Sequence, residues 1–143
     1  VVVEKGRLCT WLLDSYAARK LGRETTGNAA RGAGSPPTAA PTNLWIQPGE
    51  APLDEIVAQT RRGLLVTELI GMGFNPVTGD YSRGAAGLWI EDGRIAYPVE
   101  EITIAGNLDR MLADIDVVGS DLTWFGRMAS PSLRIARMTI AGT

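Results

Sequence analysis

At 143 residues, with 45% hydrophobic and 21% charged positions, the chain reads as one ordinary soluble globular domain with room for a sizeable core. A net charge of −2 leaves no broad electrostatic footprint for nucleic acid, and no apolar run approaches the roughly 18 residues of a membrane span. The absence of histidine removes Ser-His-Asp and Cys-His machinery and the two-histidine zinc helix, and a single cysteine cannot close an internal disulfide.

The chain opens inside a strand-like pattern, Val1 to Leu8, with a polar Glu4-Lys5-Gly6-Arg7 turn. Glycine supplies the positive φ that tight hairpin turns need, so a β-hairpin is expected. The start at Val1 suggests the last domain of a longer protein, with any missing catalytic residues upstream. Cys9 is expected to be a small buried apolar side chain, and a cytosolic origin is the simpler reading of one free thiol. Asp14 to Leu21 is expected to be a short helix, with Asp14 or Ser15 as N-cap and Gly22 past its end. Residues 23–43 have little periodicity and many breakers, and are expected to form a flexible loop. Leu44-Trp45-Ile46 follows as a short strand before a Pro48-Gly49 turn.

The clearest helix is Leu53 to Arg62. Asp54 and Glu55 fall in its first turn, Arg61 and Arg62 in its last, and Gly63 stands ready as a stop. A strand-like run, Leu64 to Leu69, then enters a segment dense in turn-forming residues, 71–84, from which another apolar run emerges at Ala85. Strands are expected over 87–91, 94–99 and 101–105, the first two joined by a hairpin at Glu91-Asp92-Gly93-Arg94. Asn107 is a good N-cap for a short helix reaching Ile115, with Leu108, Met111, Leu112 and Ile115 on its apolar side. Residues 116–131 are broken by glycine and proline, and 132–140 alternate as a half-buried terminal strand. The sum is an α+β, β-dominated domain of mixed or antiparallel sheets, or a partly closed barrel, with two or three short helices. Without repeated strand–helix alternation, a doubly wound parallel sheet is not expected.

Little of the chain's chemistry is catalytic. Gly71-Met72-Gly73 is not a dinucleotide loop: the third glycine of that pattern would fall on Pro76, and no helix or phosphate-binding lysine follows. Glu91-Asp92 and Glu100-Glu101 read as solvated charges at turns and strand junctions. Asp80, after Thr78-Gly79, is the carboxylate placed to build or cap a loop or to touch a ligand. Trp11, Trp45 and Trp89 lie in strand-like runs where core packing is the ordinary role, and Trp124 sits in an irregular region.

The 71–84 segment also carries a resemblance. Asn75-Pro76-Val77-Thr78-Gly79-Asp80-Tyr81-Ser82-Arg83-Gly84-Ala85 resembles a signature of the TldD/PmbA family. Further matches run in the same order: Leu12 to Gly22, Thr26-Gly27-Asn28-Ala29, Pro41-Thr42-Asn43-Leu44, Gly63 to Leu69, Tyr97-Pro98-Val99, Ile102 to Leu108, Val118-Gly119-Ser120-Asp121 and Pro131-Ser132-Leu133.

The resemblance implies the C-terminal domain of a cytoplasmic subunit of a metallopeptidase complex that processes peptides and unfolded small proteins. Family members have also been labelled as modulators of DNA gyrase. In such a complex a TldD-type subunit carries zinc on an upstream His-Glu-x-x-x-His helix, with a further cysteine ligand in its C-terminal domain. The PmbA (TldE) type lacks the metal set. The wording of Leu64 to Leu69, Tyr81 to Ala85 and Glu101 to Ile104 is similar to the PmbA type. Where the zinc-ligand cysteine is expected, shortly before Pro131, this chain has Gly126-Arg127-Met128-Ala129-Ser130. The resemblance therefore implies no catalytic residue and no metal ligand here, zinc in a TldD-like partner, and pairing with that paralogue or a second copy. Asn75, Thr78, Gly79, Asp80 and Arg83 are the candidates for lining a substrate channel. The alternative is a pure assembly domain with no substrate contact; under either reading no membrane and no direct nucleic-acid contact is expected.

Overall fold

The structure, a computed structural model, describes residues 1–142. The elements run β1 (Val3–Glu4), β2 (Arg7–Leu8), α1 (Ser15–Lys20), β3 (Ala29–Ala30), β4 (Thr38–Ala39), β5 (Leu44–Trp45), α2 (Leu53–Ala58), β6 (Arg62–Ile70), β7 (Asp80–Glu91) and β8 (Arg94–Asn107). They continue with α3 (Leu108–Ala113), β9 (Ile115–Val118), β10 (Thr123–Phe125), β11 (Met128–Ser130), β12 (Leu133–Ile135) and β13 (Thr139–Ala141). The domain is β-dominated, with three short helices and several small antiparallel and mixed sheets; among the described residues no sheet closes into a barrel. The chain forms two compact units, Val1–Trp45 with Trp124–Ala129, and Ile46–Thr123 with the chain from Ser130 onward.

In the first unit, β1 and β2 pair as the expected hairpin. Lys5 and Gly6 both adopt positive φ (49° and 76°), the arrangement whose twist matches that of paired strands. Helix α1 starts where the sequence placed it. Asp14 is its N-cap, and a carboxylate oxygen accepts from the Ala17 amide. Leu13, beside it, is buried, and its backbone is held by the hydroxyls of Thr25 and Thr26. Residues 23–43 contain the small antiparallel pair β3–β4. Strand β5 pairs in parallel with β11, whose Ala129 is buried.

Three expectations fail here. Trp11 belongs to no strand and is 51% exposed; Trp45 lies in β5 yet is 55% exposed, its ring 6.2 Å from Trp124. Cys9 is exposed, not buried. This unit buries only Leu13, Asp14, Ala18 and Ala129, so a sequence pattern that demands a core does not find one large enough to take two indoles.

The second unit is organised by one antiparallel sheet in the order β13-β8-β7-β6. Ala85, Ile90 and Ile104 are buried on it, and Ile56 of α2 is buried as well. Helix α2 ends at Ala58, not Arg62. The reason is tertiary: the β7–β8 turn takes the following backbone, with Gly93 N–H donating to the Thr60 carbonyl and Asp92 N–H to that of Arg61. Arg62 instead opens β6, its guanidinium 5.5 Å from the Trp89 ring, while the Trp89 indole N–H donates to Glu91. Trp89 is accordingly half-buried.

Strand 101–105 is not separate. β8 runs unbroken from Arg94 through Asn107, and the ladder absorbs Glu100 and Glu101 as a bulge facing Ala86. Glu101 takes φ +54°, rare for a residue with a side chain. On the other side of Ala86, the β6 ladder skips Thr67, whose hydroxyl donates to the Ala86 carbonyl. Bulges sharpen twist and bend a strand, so the sheet is expected to bend locally at Ala86. Helix α3 is capped by Asn107 as expected but ends at Ala113 with no buried residue; Leu112 is exposed.

The stretch 132–140 forms two strands, not one. β12 pairs antiparallel with β9, and β13 with β8. Arg134 makes a bidentate bridge to Asp116 across the β12–β9 pair at 2.9 and 3.0 Å, which holds the Asp116 carboxyl below its ordinary range. Exposure of this pair keeps its worth to roughly 0.5 kcal/mol.

Asp121 contributes more. Its carboxylate accepts from the Ser132 hydroxyl at 2.6 Å and from the Ser132 amide at 2.9 Å, and those bonds lower its pKa below the ordinary 3.8. Asp121→Ala is expected to cost about 2 kcal/mol in a urea titration. A depressed carboxylate stabilises the fold above its unfolded pKa, and that gain vanishes as pH falls through the folded value. The difference between wild type and variant should therefore be full near neutrality and close below about pH 4.

Candidate functional site

The densest polar constellation caps the far end of the β6–β7 hairpin. The segment read as a loop over 71–84 is shorter in fact: Asp80 to Arg83 already belong to β7, and the loop proper is 71–79. Its stem is closed by the Ser82 amide donating to the Gly73 carbonyl at 2.7 Å and by a Phe74–Tyr81 bridge. The tip is an Asx-type turn. The Asn75 side-chain oxygen accepts from the amides of Val77 (2.9 Å) and Thr78 (3.3 Å), and the Gly79 amide donates to the Asn75 carbonyl.

Asp80 then closes the turn from the strand side. The Thr78 hydroxyl donates to an Asp80 carboxylate oxygen at 2.7 Å, and the Asp80 carbonyl accepts from the Asn75 amide at 2.9 Å. Gly79 occupies positive φ (75°), which the turn requires. Arg83 lies farther down β7. One terminal nitrogen donates to the Leu69 carbonyl at 3.1 Å, and its Nε is buried with no protein acceptor.

Asn75, Thr78, Gly79 and Asp80 are thus brought together, and most of their polar atoms are spent on one another. Beside these exposed polar residues the tip also presents large apolar side chains: Met72 is fully exposed, Val77 is 90% exposed, and Phe74 and Ile70 are each 53% exposed. Sequence reasoning weighed the polar residues and passed over Met72 and Val77. It also read Asn107 only as a helix cap, whereas its side-chain amide donates to the Thr78 carbonyl at 2.9 Å. The signal for that second role is the β7–β8 register, which sets Asp80 opposite Asn107.

A metal centre does not fit this chain. Among the described residues no three His, Cys, Asp or Glu side chains converge, and the sole thiol is exposed, 3.4 Å from the Arg7 carbonyl. Among the described residues no helix is long and apolar enough to cross a membrane.

A β-dominated domain with a hairpin tip braced by its own hydrogen bonds is the class the fold and site define. Residues 1–142 match the family model described as PmbA/TldA metallopeptidase C-terminal domain. The chain is 42% identical to the Escherichia coli O157:H7 metalloprotease PmbA, over 99% of its own length and 29% of that protein. A crystal structure of a Thermotoga maritima protein, provisionally described as a modulator of a DNA gyrase, superposes with a TM-score of 0.88 at 38% identity, covering 98% of this chain and 32% of the other. TldE from Thermococcus kodakarensis gives a TM-score of 0.88 at 28% identity, over 99% of this chain and 33% of that one. The chain belongs to the PmbA/TldD metallopeptidase family, as its C-terminal domain. It spans under a third of the length of the curated PmbA it matches.

Proposed function

We propose that this domain serves a PmbA-type subunit of a cytoplasmic metallopeptidase complex, contributing substrate-channel wall and subunit interface while a TldD-like paralogue supplies the zinc. Peptides and unfolded small proteins are the substrates in this reading. The observation that carries it is the hairpin tip: a turn braced by its own hydrogen bonds that holds Met72, Phe74 and Val77 out in solvent. A surface that exposes several large apolar side chains gains when another surface covers them. The family match and the mismatch between this donor set and a metal site support the same assignment.

A second reading has direct contact between tip and peptide through Asn75, Thr78, Gly79, Asp80 and Arg83. The exposure of Asn75, Thr78 and Asp80 at the tip favours it, whereas the buried Arg83 Nε stands out of a peptide's reach. Action on gyrase through DNA draws no support from a net charge of −2.

Two double variants in the full-length pair separate the readings. Met72→Ser with Val77→Ser is expected to weaken assembly at least about tenfold, the scale set by two uncovered apolar side chains. Asp80→Ala with Arg83→Ala, if it abolishes cleavage while the oligomer stays intact by size measurement, transfers the role to peptide contact. Unchanged assembly and unchanged cleavage in both would remove the tip from function altogether.

A further inference from the structure

We infer that Asn107 is a positioning residue: its carboxamide latches the hairpin tip to the first turn of α3, so that tip and helix move as one body. The side chain is shared between two duties. Its oxygen caps α3 by accepting from the Asp109 amide at 3.2 Å, and its nitrogen donates to the Thr78 carbonyl at 2.9 Å. The neighbouring Leu108 amide donates to the Gly79 carbonyl at 2.8 Å, so two bonds cross from residues 107–108 to residues 78–79. The carboxamide packs close against Gly79: a Cβ there would stand 3.1 Å from the Asn107 side-chain nitrogen.

Thr78 is where the tip converges. Its amide goes to Asn75, its hydroxyl to Asp80 and its carbonyl to Asn107. Fixing that one peptide orients the others. Capping alone does not require asparagine here, since aspartate caps a helix equally well. Only the amide nitrogen can hold the Thr78 carbonyl; a carboxylate in its place would turn oxygen against oxygen. The difference between Asn and Asp at position 107 therefore isolates the latch from the cap.

The consequence for assembly rests on the proposed function above; the latch itself does not. Asn107→Asp and Asn107→Ala are compared with wild type in the full-length protein at pH 7, by residue-resolved amide hydrogen exchange and by partner affinity. Asn107→Asp is expected to speed exchange at Gly79 and Leu108 about tenfold while the Asp109 amide stays protected, with the melting temperature little changed. Asn107→Ala is expected to release all three amides. Partner affinity should fall about tenfold in Asn107→Asp, a loss a purely capping residue would not produce. Wild-type exchange at Gly79 and Leu108 in Asn107→Asp would overturn the latch. Faster exchange with unchanged assembly and cleavage would uphold the latch and overturn the tip's proposed role.

Discussion

Gly87→Ala is expected to destabilise the chain by about 3 kcal/mol, a fall of roughly 10 °C in melting temperature. Gly87 is buried in β7, the strand flanked on both sides in the central sheet, and pairs with Val66 of β6 and Val99 of β8. It stands immediately beyond the doubled bulge at Thr67 and Glu100–Glu101. A methyl group there would overlap the Leu65 carbonyl oxygen and lie 3.1 Å from the Val66 Cα. Both obstacles are backbone of a paired strand, so relief means breaking the ladder or straightening the bend. Gly84, three residues earlier on the same strand, is the control: its nearest obstacle is the Ile70 Cβ at 3.3 Å, and Gly84→Ala should cost much less. Urea titration of the two variants checks the contrast. Equal stabilities would mean that the β6 backbone does not stand against Gly87 as described.

Gly73→Ala is expected to have the largest effect on the site, with a smaller effect on stability, about 2 kcal/mol. A Cβ at Gly73 would occupy the position of the Ser82 carbonyl oxygen and press on the Arg83 Cγ at 3.1 Å. The Gly73–Ser82 backbone bond that closes the stem must then open, and the Phe74–Tyr81 bridge with it. The turn at Asn75–Asp80 would keep its internal bonds and its bonds to Asn107 and Leu108 but lose the closure of its stem on the β6 side. Exchange of the Ser82 amide should rise about a hundredfold while the Ala85 and Ile90 amides keep their protection. Under the proposed function, assembly or cleavage fails with it. A variant with a released Ser82 amide and full activity would separate stem geometry from function.

Several features were readable from residue identity because they depend on neighbours in the chain. Lys5-Gly6 and Asp92-Gly93 form the turns their dipeptides announce, each with two positive φ values. Asp14 and Asn107 cap the helices that follow them. The 71–84 segment stood out as polar and turn-rich, and Asn75, Thr78, Gly79 and Asp80 do assemble one turn. Local dihedral preference and side-chain reach over two or three residues account for all of these.

Other features could not be read that way. The expected helix dipole role of Arg61 and Arg62 does not hold: α2 ends at Ala58 with no basic residue in its last turn, and a turn more than thirty residues away takes the Thr60 and Arg61 carbonyls. Strand-like surroundings at Trp45 predicted burial, but a strand pattern says nothing about what lies on top of it. Arg83 joined the candidate list as a polar neighbour of Asp80, and the ladder places it down the strand with Nε enclosed.

What the sequence determined by itself was the class of domain, the family and the kinds of chemistry excluded. With no histidine and one cysteine, no folding could have produced a histidine-ligated metal site. Tertiary structure alone decided which atoms of the candidate residues are free. Register set Asp80 opposite Asn107, hydrogen bonding engaged many of the turn's polar groups with one another, and Met72 and Val77 stand exposed beside them. The physical reason is distance: a turn closes over a few residues, but strand pairing joins positions that no local preference relates.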